Sequence, residues 1–237
     1  MDDVLKYKNI ITSIPITKDK IYLNFQYSDL KIKIETFLKQ LKDKFLISGS
    51  LSQEDKDILL KNKNNFLDIL EEDTYTILNA RITAEGIIKL AIENTDKSLY
   101  DSKILILGYG RIGKNLCNIL KVFSKNIYCM SNSKEELEWI NINGIYAVKF
   151  NLIEKILNKF DIIINTIPCL ILDKDKLKCV KKDVTIIDVS SKPGGIDFEY
   201  AKENKIKVVW ELGIPGKISP ITCAEKIKKI IYEKNVT

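Results

Sequence analysis

Leu107-Gly108-Tyr109-Gly110-Arg111-Ile112-Gly113 is a G-x-G-x-x-G run, and its three glycines have separate physical uses. Gly108 permits a tight turn, Gly110 lets the backbone approach a pyrophosphate, and Gly113 lets the following helix lie close on the preceding strand. An anion there would meet the free N–H groups and the positive dipole end of that helix. Arg111 and Ile112 lie inside the loop, and Arg111 adds a candidate direct phosphate contact. The run follows an apolar strand and opens a helical pattern, and a second strand arrives after Asn126, the strand–helix–strand context that gives the motif its specificity.

The end of that second strand reads Met130-Ser131-Asn132-Ser133-Lys134. A site for an unphosphorylated ribose usually carries an acid about 20 residues past the glycines, and here none occurs before Glu135, inside the next helix. Hydroxyls, an amide and a lysine suit a 2′-phosphate, so NADP is expected ahead of NAD. Further along, Asn165-Thr166-Ile167-Pro168, Asp188-Val189-Ser190-Ser191-Lys192-Pro193-Gly194-Gly195 and Gly213-Ile214-Pro215-Gly216 follow three successive apolar runs. Such glycine- and proline-rich segments are ordinary turn chemistry taken singly. At three consecutive strand ends they are expected to wall a pocket around the nicotinamide, with Asn165, Thr166 and Pro168 on the cofactor side.

The elements that must position these loops follow from the pattern. From residue 99 onward, strands are expected at Lys103–Leu107, Asn126–Met130, Ile145–Phe150, Asp161–Ile167, Val184–Val189 and Lys207–Trp210. Helices at 112–123, 133–142, 151–159, 173–181 and 197–204 fit between them. Ser133-x-x-Glu136 reads as a capping box. This alternation calls for an α/β fold, a Rossmann-type doubly wound parallel sheet covered on both faces. Residues 1–97 read as a second, smaller α/β N-terminal domain with strands at Asn9–Ile14 and Lys44–Ser48. Its helices are expected at 29–43, at 52–62 after a Ser52/Asp55 capping signal, and at 73–97, the last bridging to the Rossmann domain at 98–216. A C-terminal helix within 217–237 is expected to pack back on the first domain.

The chain has 237 residues, no histidine and five scattered cysteines, so a zinc or other metal site is not expected. Any proton transfer must use Lys, Asp, Glu, Tyr, Cys or water. All but two of the 38 basic residues are lysines, the exceptions being Arg81 and Arg111. The net charge of +6 is spread along the chain and mixed with acids, which reads as solvated faces and not as a nucleic-acid surface. No apolar run approaches the roughly 20 residues needed to span a bilayer, and the start MDDVLKYK lacks the layout of a signal peptide. The cysteines are therefore expected as reduced thiols in the cytoplasm.

In combination, several segments carry a resemblance. Asn165-Thr-Ile-Pro168, Ser191-Lys-Pro-Gly-Gly-Ile-Asp-Phe198 and Gly213-Ile-Pro-Gly216 with Pro220 and Thr222 belong to it, as do Asn79, Thr83-Ala-Glu-Gly86 and Ala91-Ile-Glu-Asn-Thr-Asp96. Over residues 9–232 the sequence resembles the A subunits of dipicolinate synthase. The resemblance implies a cytoplasmic oxidoreductase of the mother cell in a sporulating bacterium. It would oxidise dihydrodipicolinate, a small dicarboxylate, with NAD(P)+, and work with the flavoprotein-like B subunit of dipicolinate synthase; a homo-oligomer is compatible with it. The family begins with a further strand–helix–strand stretch, so a shortened N-terminal domain is expected. Relatives can carry an arginine where Asn132 stands, and S-R-P-G-G is here Ser191-Lys192-Pro193-Gly194-Gly195, which keeps the charge without the bidentate fork.

Under that reading Lys192 contacts a substrate carboxylate, with Ser190, Ser191, Gly194 and Gly195 beside it. Asn79 and Thr83 approach from the long helix, and Gly213, Pro215 and Gly216 close the pocket. Glu85 or Asp197 accepts the proton, although Asp197 also reads as a helix N-cap. Two other readings stay open: a dehydrogenase of the 2-hydroxyacid type, which commonly needs the histidine this chain lacks, and a non-catalytic cofactor-binding relative.

Overall fold

The computed structural model describes residues 3–25 and 28–234. Contacts divide the chain into two compact units, one running to Leu78 and taking in the segment from Ile221, the other Asn79–Pro220.

The first unit holds a parallel sheet in the order β1 (Asn9–Ile11), β2 (Phe45–Ser48), β3 (Asn65–Asp68). Helix α1 (Ile34–Gln40) joins β1 to β2, and α2 (Gln53–Lys61) joins β2 to β3. Helix α2 opens with a full capping box between Ser52 and Asp55. Helix α1 is shorter than the expected 29–43, because Lys33 is extended and Tyr22 bridges to it antiparallel. Strand β3 is absent from the sequence reading. Its four residues are too few to show a period, and it exists through its parallel pairing with β2. Leu38, Leu41, Leu46 and Leu59 are fully buried between this sheet and its helices. The C-terminal helix α9 (Pro220–Glu233) lays Ile227, Ile230 and Ile231 against Ile47, Leu67, Ile69 and Tyr75, and Lys234 pairs with Glu72 at 2.9 Å.

The long helix α3 (Asp73–Asn94) starts in the first unit and passes into the second. There β4 (Ile104–Leu107), α4 (Arg111–Phe123), β5 (Ile127–Ser131), α5 (Lys134–Ile142) and β6 (Tyr146–Lys149) build the first half of a six-stranded sheet. The second half is β7 (Ile162–Asn165), α6 (Lys174–Leu177), β8 (Thr185–Asp188), α7 (Phe198–Glu203), β9 (Lys207–Trp210) and the short α8 (Ile214–Ile218). All strands are parallel in the order β6-β5-β4-β7-β8-β9. That is the doubly wound Rossmann arrangement, with its reversal of strand order between β4 and β7. Strands β4, β7 and β8 are buried at every position, as a sheet covered on both faces requires.

The expected helix at 151–159 is instead two 3₁₀ turns, Phe150–Lys155 and Leu157–Lys159. This connection must travel from edge strand β6 past β5 and β4 to β7. A 3₁₀ turn advances about 2.0 Å per residue against about 1.5 Å in an α-helix, so it covers the crossing with fewer residues. The segment expected as a helix over 173–181 keeps only Lys174–Leu177, capped by Asp173. Gly213-Ile-Pro-Gly216, read as a loop, runs into α8 from a left-handed Gly213.

Candidate functional site

Strand register brings the expected loops to one edge. Leu107 pairs with Met130 on one side and Asn165 on the other, Asn165 pairs with Asp188, and Asp188 pairs with Trp210. The carboxyl ends of β5, β4, β7, β8 and β9 therefore stand level. In open parallel sheets ligands bind outside those ends, at the switch in strand order.

The glycine loop leaves β4 at this switch. Gly108 has a φ of +100°, and a Cβ there would also lie 2.7 Å from Thr166 Oγ1. A Cβ on Gly113 would stand 2.0 Å from the Gly108 carbonyl oxygen, so α4 lies on the loop at a distance only glycine allows. Gly110 is the N-cap of α4 and supplies no side-chain acceptor to its first-turn N–H groups. A Cβ at Gly110 would meet nothing within 4 Å. Donors without a capping side chain, beside an open approach, fit the pyrophosphate of a dinucleotide. Arg111 is exposed at the first position of α4, Ile112 is half-buried and Tyr109 is buried.

The next two strand ends are tied together by a buried polar network. Asp188, fully buried, accepts hydrogen bonds from Asn165 Nδ2 at 2.9 Å, the Ser190 N–H at 2.9 Å and the Gly195 N–H at 2.8 Å. Asn165 also donates from Nδ2 to the Ile167 carbonyl at 3.1 Å, and its Oδ1 accepts the Ile167 N–H at 3.2 Å. A Cβ on Gly195 would lie 2.1 Å from Asn165 Nδ2. Thr166 donates its hydroxyl to the Leu107 carbonyl at 2.8 Å, which ties this network to the strand that feeds the glycine loop. Gly194 sits over the Phe198 ring, which stacks on Trp210 at 4.6 Å, and Trp210 donates its ring N–H to the Ser190 carbonyl at 3.1 Å. Asp188, Phe198 and Trp210 have no role in the sequence reading. The available signal was a carboxylate closing the apolar strand Thr185-Ile-Ile-Asp188.

Around this network Ser190 is buried, Ser191 and Lys192 are exposed, and Pro168 is exposed beyond β7. Gly213 and Gly216 are exposed and Pro215 is buried at α8. That helix is held by α3: a Cβ on Gly86 would lie 2.1 Å from Ile214 Cγ2, so the two sequence segments Thr83–Gly86 and Gly213–Gly216 are packed on each other. Thr83 is buried and donates its hydroxyl to the Asn79 carbonyl at 2.7 Å, while Asn79 itself is half-buried. Glu85 is exposed and paired with Arg81 at 3.1 Å, and Asp197 caps α7 by accepting the Tyr200 N–H at 3.0 Å. Among the described residues no hydrogen bond links Asn79, Thr83, Glu85 or Asp197 to the Asn165–Asp188 network.

The β5 tip departs from the expected capping box. Ser133 caps α5, accepting the Glu136 N–H at 3.3 Å. The Glu136 carboxylate, however, accepts from the Ser131 hydroxyl at 2.5 Å, and the Ser133 N–H goes to Ser131 Oγ at 3.1 Å. Asn132 and Lys134 are exposed. Behind the tip, Cys129 is held well above its ordinary thiol value by its hydrogen bond with Cys117 and by burial, so it is inert as a nucleophile at neutral pH. Among the described residues no group of His, Cys, Asp and Glu could hold a metal ion. None of the described helices is long and apolar enough to cross a membrane.

Residues 77–193 match the family model of the D-isomer specific 2-hydroxyacid dehydrogenase NAD binding domain. The A subunit of dipicolinate synthase from Bacillus subtilis is 30% identical over 186 residues, covering 78% of this chain and 63% of that protein. Over most of its length the chain is similar to the dipicolinate synthase A subunit. The crystal structure of that Bacillus subtilis protein superposes with a TM-score of 0.83 at 26% identity, covering 98% of this chain and 78% of the other. The A subunit from Bacillus halodurans superposes with a TM-score of 0.85 at 26% identity, covering 98% and 80%. The aligned part thus spans less than two thirds of the curated relative's length. The family model adds that the domain carrying the glycine loop is of a nicotinamide-dinucleotide-binding kind.

Proposed function

We propose that this chain is a dehydrogenase subunit that oxidises dihydrodipicolinate to dipicolinate with a nicotinamide dinucleotide, in company with a B subunit. The observation that carries the reading is the single sheet edge at which the open glycine loop adjoins the Asn165–Asp188–Gly195 network.

A nicotinamide dinucleotide held at this edge would supply the hydride acceptor. The residues of the chain supply position. First-turn N–H groups of α4 and Arg111 would hold the pyrophosphate, and the Thr166–Pro168 turn would border the nicotinamide. The loop from Ser190 to Gly195 is stiffened from below by Asp188 and presents Lys192 to solvent on the same edge. An ammonium on an exposed stem suits one carboxylate of a dicarboxylate substrate, with Ser191 and backbone N–H groups as further donors. Loss of hydride and proton makes the ring aromatic, so positioning and exclusion of water carry most of the demand. The proton goes to Glu85, to Asp197 or directly to water, and a weak base suffices. A chain without histidine can meet that demand, whereas the histidine acid–base of the 2-hydroxyacid reaction has no equivalent here.

The test is an absorbance assay at the reduced-nicotinamide band, with freshly generated dihydrodipicolinate and NAD+ or NADP+, with and without a candidate B subunit. The expected result is dinucleotide reduction in step with dipicolinate formation, lost in Lys192→Ala. Dinucleotide binding without turnover in every combination would overturn the catalytic reading in favour of a cofactor-binding relative. On the sequence side Asn132, Ser133 and Lys134 speak for NADP; the structure adds a carboxylate to that corner.

A further inference from the structure

We infer that Trp210, acting through Phe198 and the Ser190 carbonyl, is a positioning residue that sets Lys192 for the substrate carboxylate; the inference rests on the reaction proposed above. Trp210 closes β9, the edge strand of the second unit's sheet. The two residues before it, Val208 and Val209, pack on the apolar cores of opposite sheet faces. Trp210 is 37% exposed and is spent on a loop instead.

An indole has one polar group, the ring N–H, and one large flat face. Both engage the segment from Ser190 to Gly195. The ring N–H donates to the Ser190 carbonyl at 3.1 Å, and the Ser190 N–H is given to Asp188 at 2.9 Å, so Ser190 is held on both of its peptide groups. The face stacks on Phe198 at 4.6 Å with 24° between the planes. Phe198 in turn lies against Gly194, where a Cβ would stand 2.5 Å from its Cε2. Between these anchors only the turn Ser191–Gly194 projects, closed by the Gly194 N–H on the Ser191 carbonyl at 2.9 Å. Lys192 is the second residue of that turn. It is exposed, and its ammonium enters no hydrogen bond or ion pair with any described residue. The fold thus fixes the root of this side chain and leaves its charge for a ligand. A flexible stem on a fixed root loses less freedom on binding an anion than one on a mobile root. Trp210 meets no substrate in this account and acts through the turn alone.

The experiment is a double-mutant cycle on the full chain: wild type, Trp210→Phe, Lys192→Ala and the double variant. Each is titrated calorimetrically with dipicolinate in the presence of a saturating reduced nicotinamide dinucleotide. Trp210→Phe keeps a ring for the stack and removes the N–H. It is expected to weaken dipicolinate about fivefold and to leave dinucleotide affinity within about twofold of wild type. In the Lys192→Ala background it is expected to add no further loss, because no ammonium remains for the turn to position. An equal loss in both backgrounds, or dinucleotide affinity falling in parallel, is what a merely structural tryptophan gives and overturns the inference. No loss in Trp210→Phe overturns it as well. Fluorescence supplies a reading that leaves position 210 untouched. Trp139 and Trp210 are the chain's two tryptophans, so in Trp139→Phe the emission comes from Trp210 alone. Dipicolinate is expected to change that emission, and unchanged emission at saturating dipicolinate overturns the inference. A chain that binds the dinucleotide but no dipicolinate overturns the substrate reading, and this inference with it.

Discussion

Asp188 is the residue on which the loop architecture of the candidate site depends. Its carboxylate is fully buried and answers three donors from three places in the chain: Asn165, Ser190 and Gly195. Removing it leaves buried donors unpaired, which costs far more than the hydrogen bonds themselves are worth net. Asp188→Ala is expected to lower stability by about 3 kcal/mol or more, read as a shift in urea midpoint. Dinucleotide binding should weaken with it, because Asn165 and the Gly194–Gly195 turn lose their anchor. Asp188→Asn keeps one acceptor and turns an amide N–H toward a donor, so it should fall between wild type and alanine. Glu136 shows the same lesson at the β5 tip. A residue read as half of a capping box gives its backbone N–H to the cap and its side chain to the strand before it.

At the level of elements, the opposite end of the second unit's sheet is held by one ion-pair cluster. Asp161, just before β7, receives Lys97 and Lys181 at 2.7 Å each and the Lys103 N–H at 2.9 Å. It thereby joins the connection after α3, the start of β4 and the connection before β8. Burial alone would push the Asp161 carboxyl up, but hydrogen bonds from Lys181, Lys97 and Lys103 outweigh it and hold it at about 2. A carboxyl lowered from 3.8 on folding contributes stability that is fully present above the unfolded value and is lost as pH falls through the folded one. The difference in unfolding midpoint between wild type and Asp161→Asn is therefore expected to be constant near neutrality. It should shrink between roughly pH 4 and pH 2. A gap independent of pH down to 2 would show that the cluster does not contribute through its charge.

For the molecule as a whole, helix α9 gives the first unit an apolar cover. Ile230 of α9 is 1% exposed against Ile47, Leu67, Ile69 and Tyr75, all from the first 78 residues. Ile230→Ala should cost about 2–4 kcal/mol in that unit. Hydrogen exchange is the measurement: amides of β2 and β3 should exchange faster, and those of β4, β7 and β8 should keep their protection. Faster exchange spread evenly over both sheets would show that the two units open together.

The sequence by itself determined what depends on neighbours along the chain. The glycine loop between an apolar strand and a helix, the alternation of strand and helix from residue 99, and the caps at Ser52 and Ser133 are local patterns. Each is set by backbone conformation, side-chain period or a hydrogen bond across one turn. Chain order likewise brought Asn165, Asp188 and the Gly194–Gly195 turn to a common edge, since parallel strands must end on the same side. Tertiary structure alone decided the rest. Strand β3 needs β2 beside it, and the segment after β6 becomes 3₁₀ because of the distance it must cross. Asp188 meets Asn165 across 23 residues and Gly195 across 7, and Glu136 turns back to Ser131 instead of completing its own cap. Long-range packing and buried polar satisfaction decide these contacts, and neither leaves a period or a spacing in the chain to read.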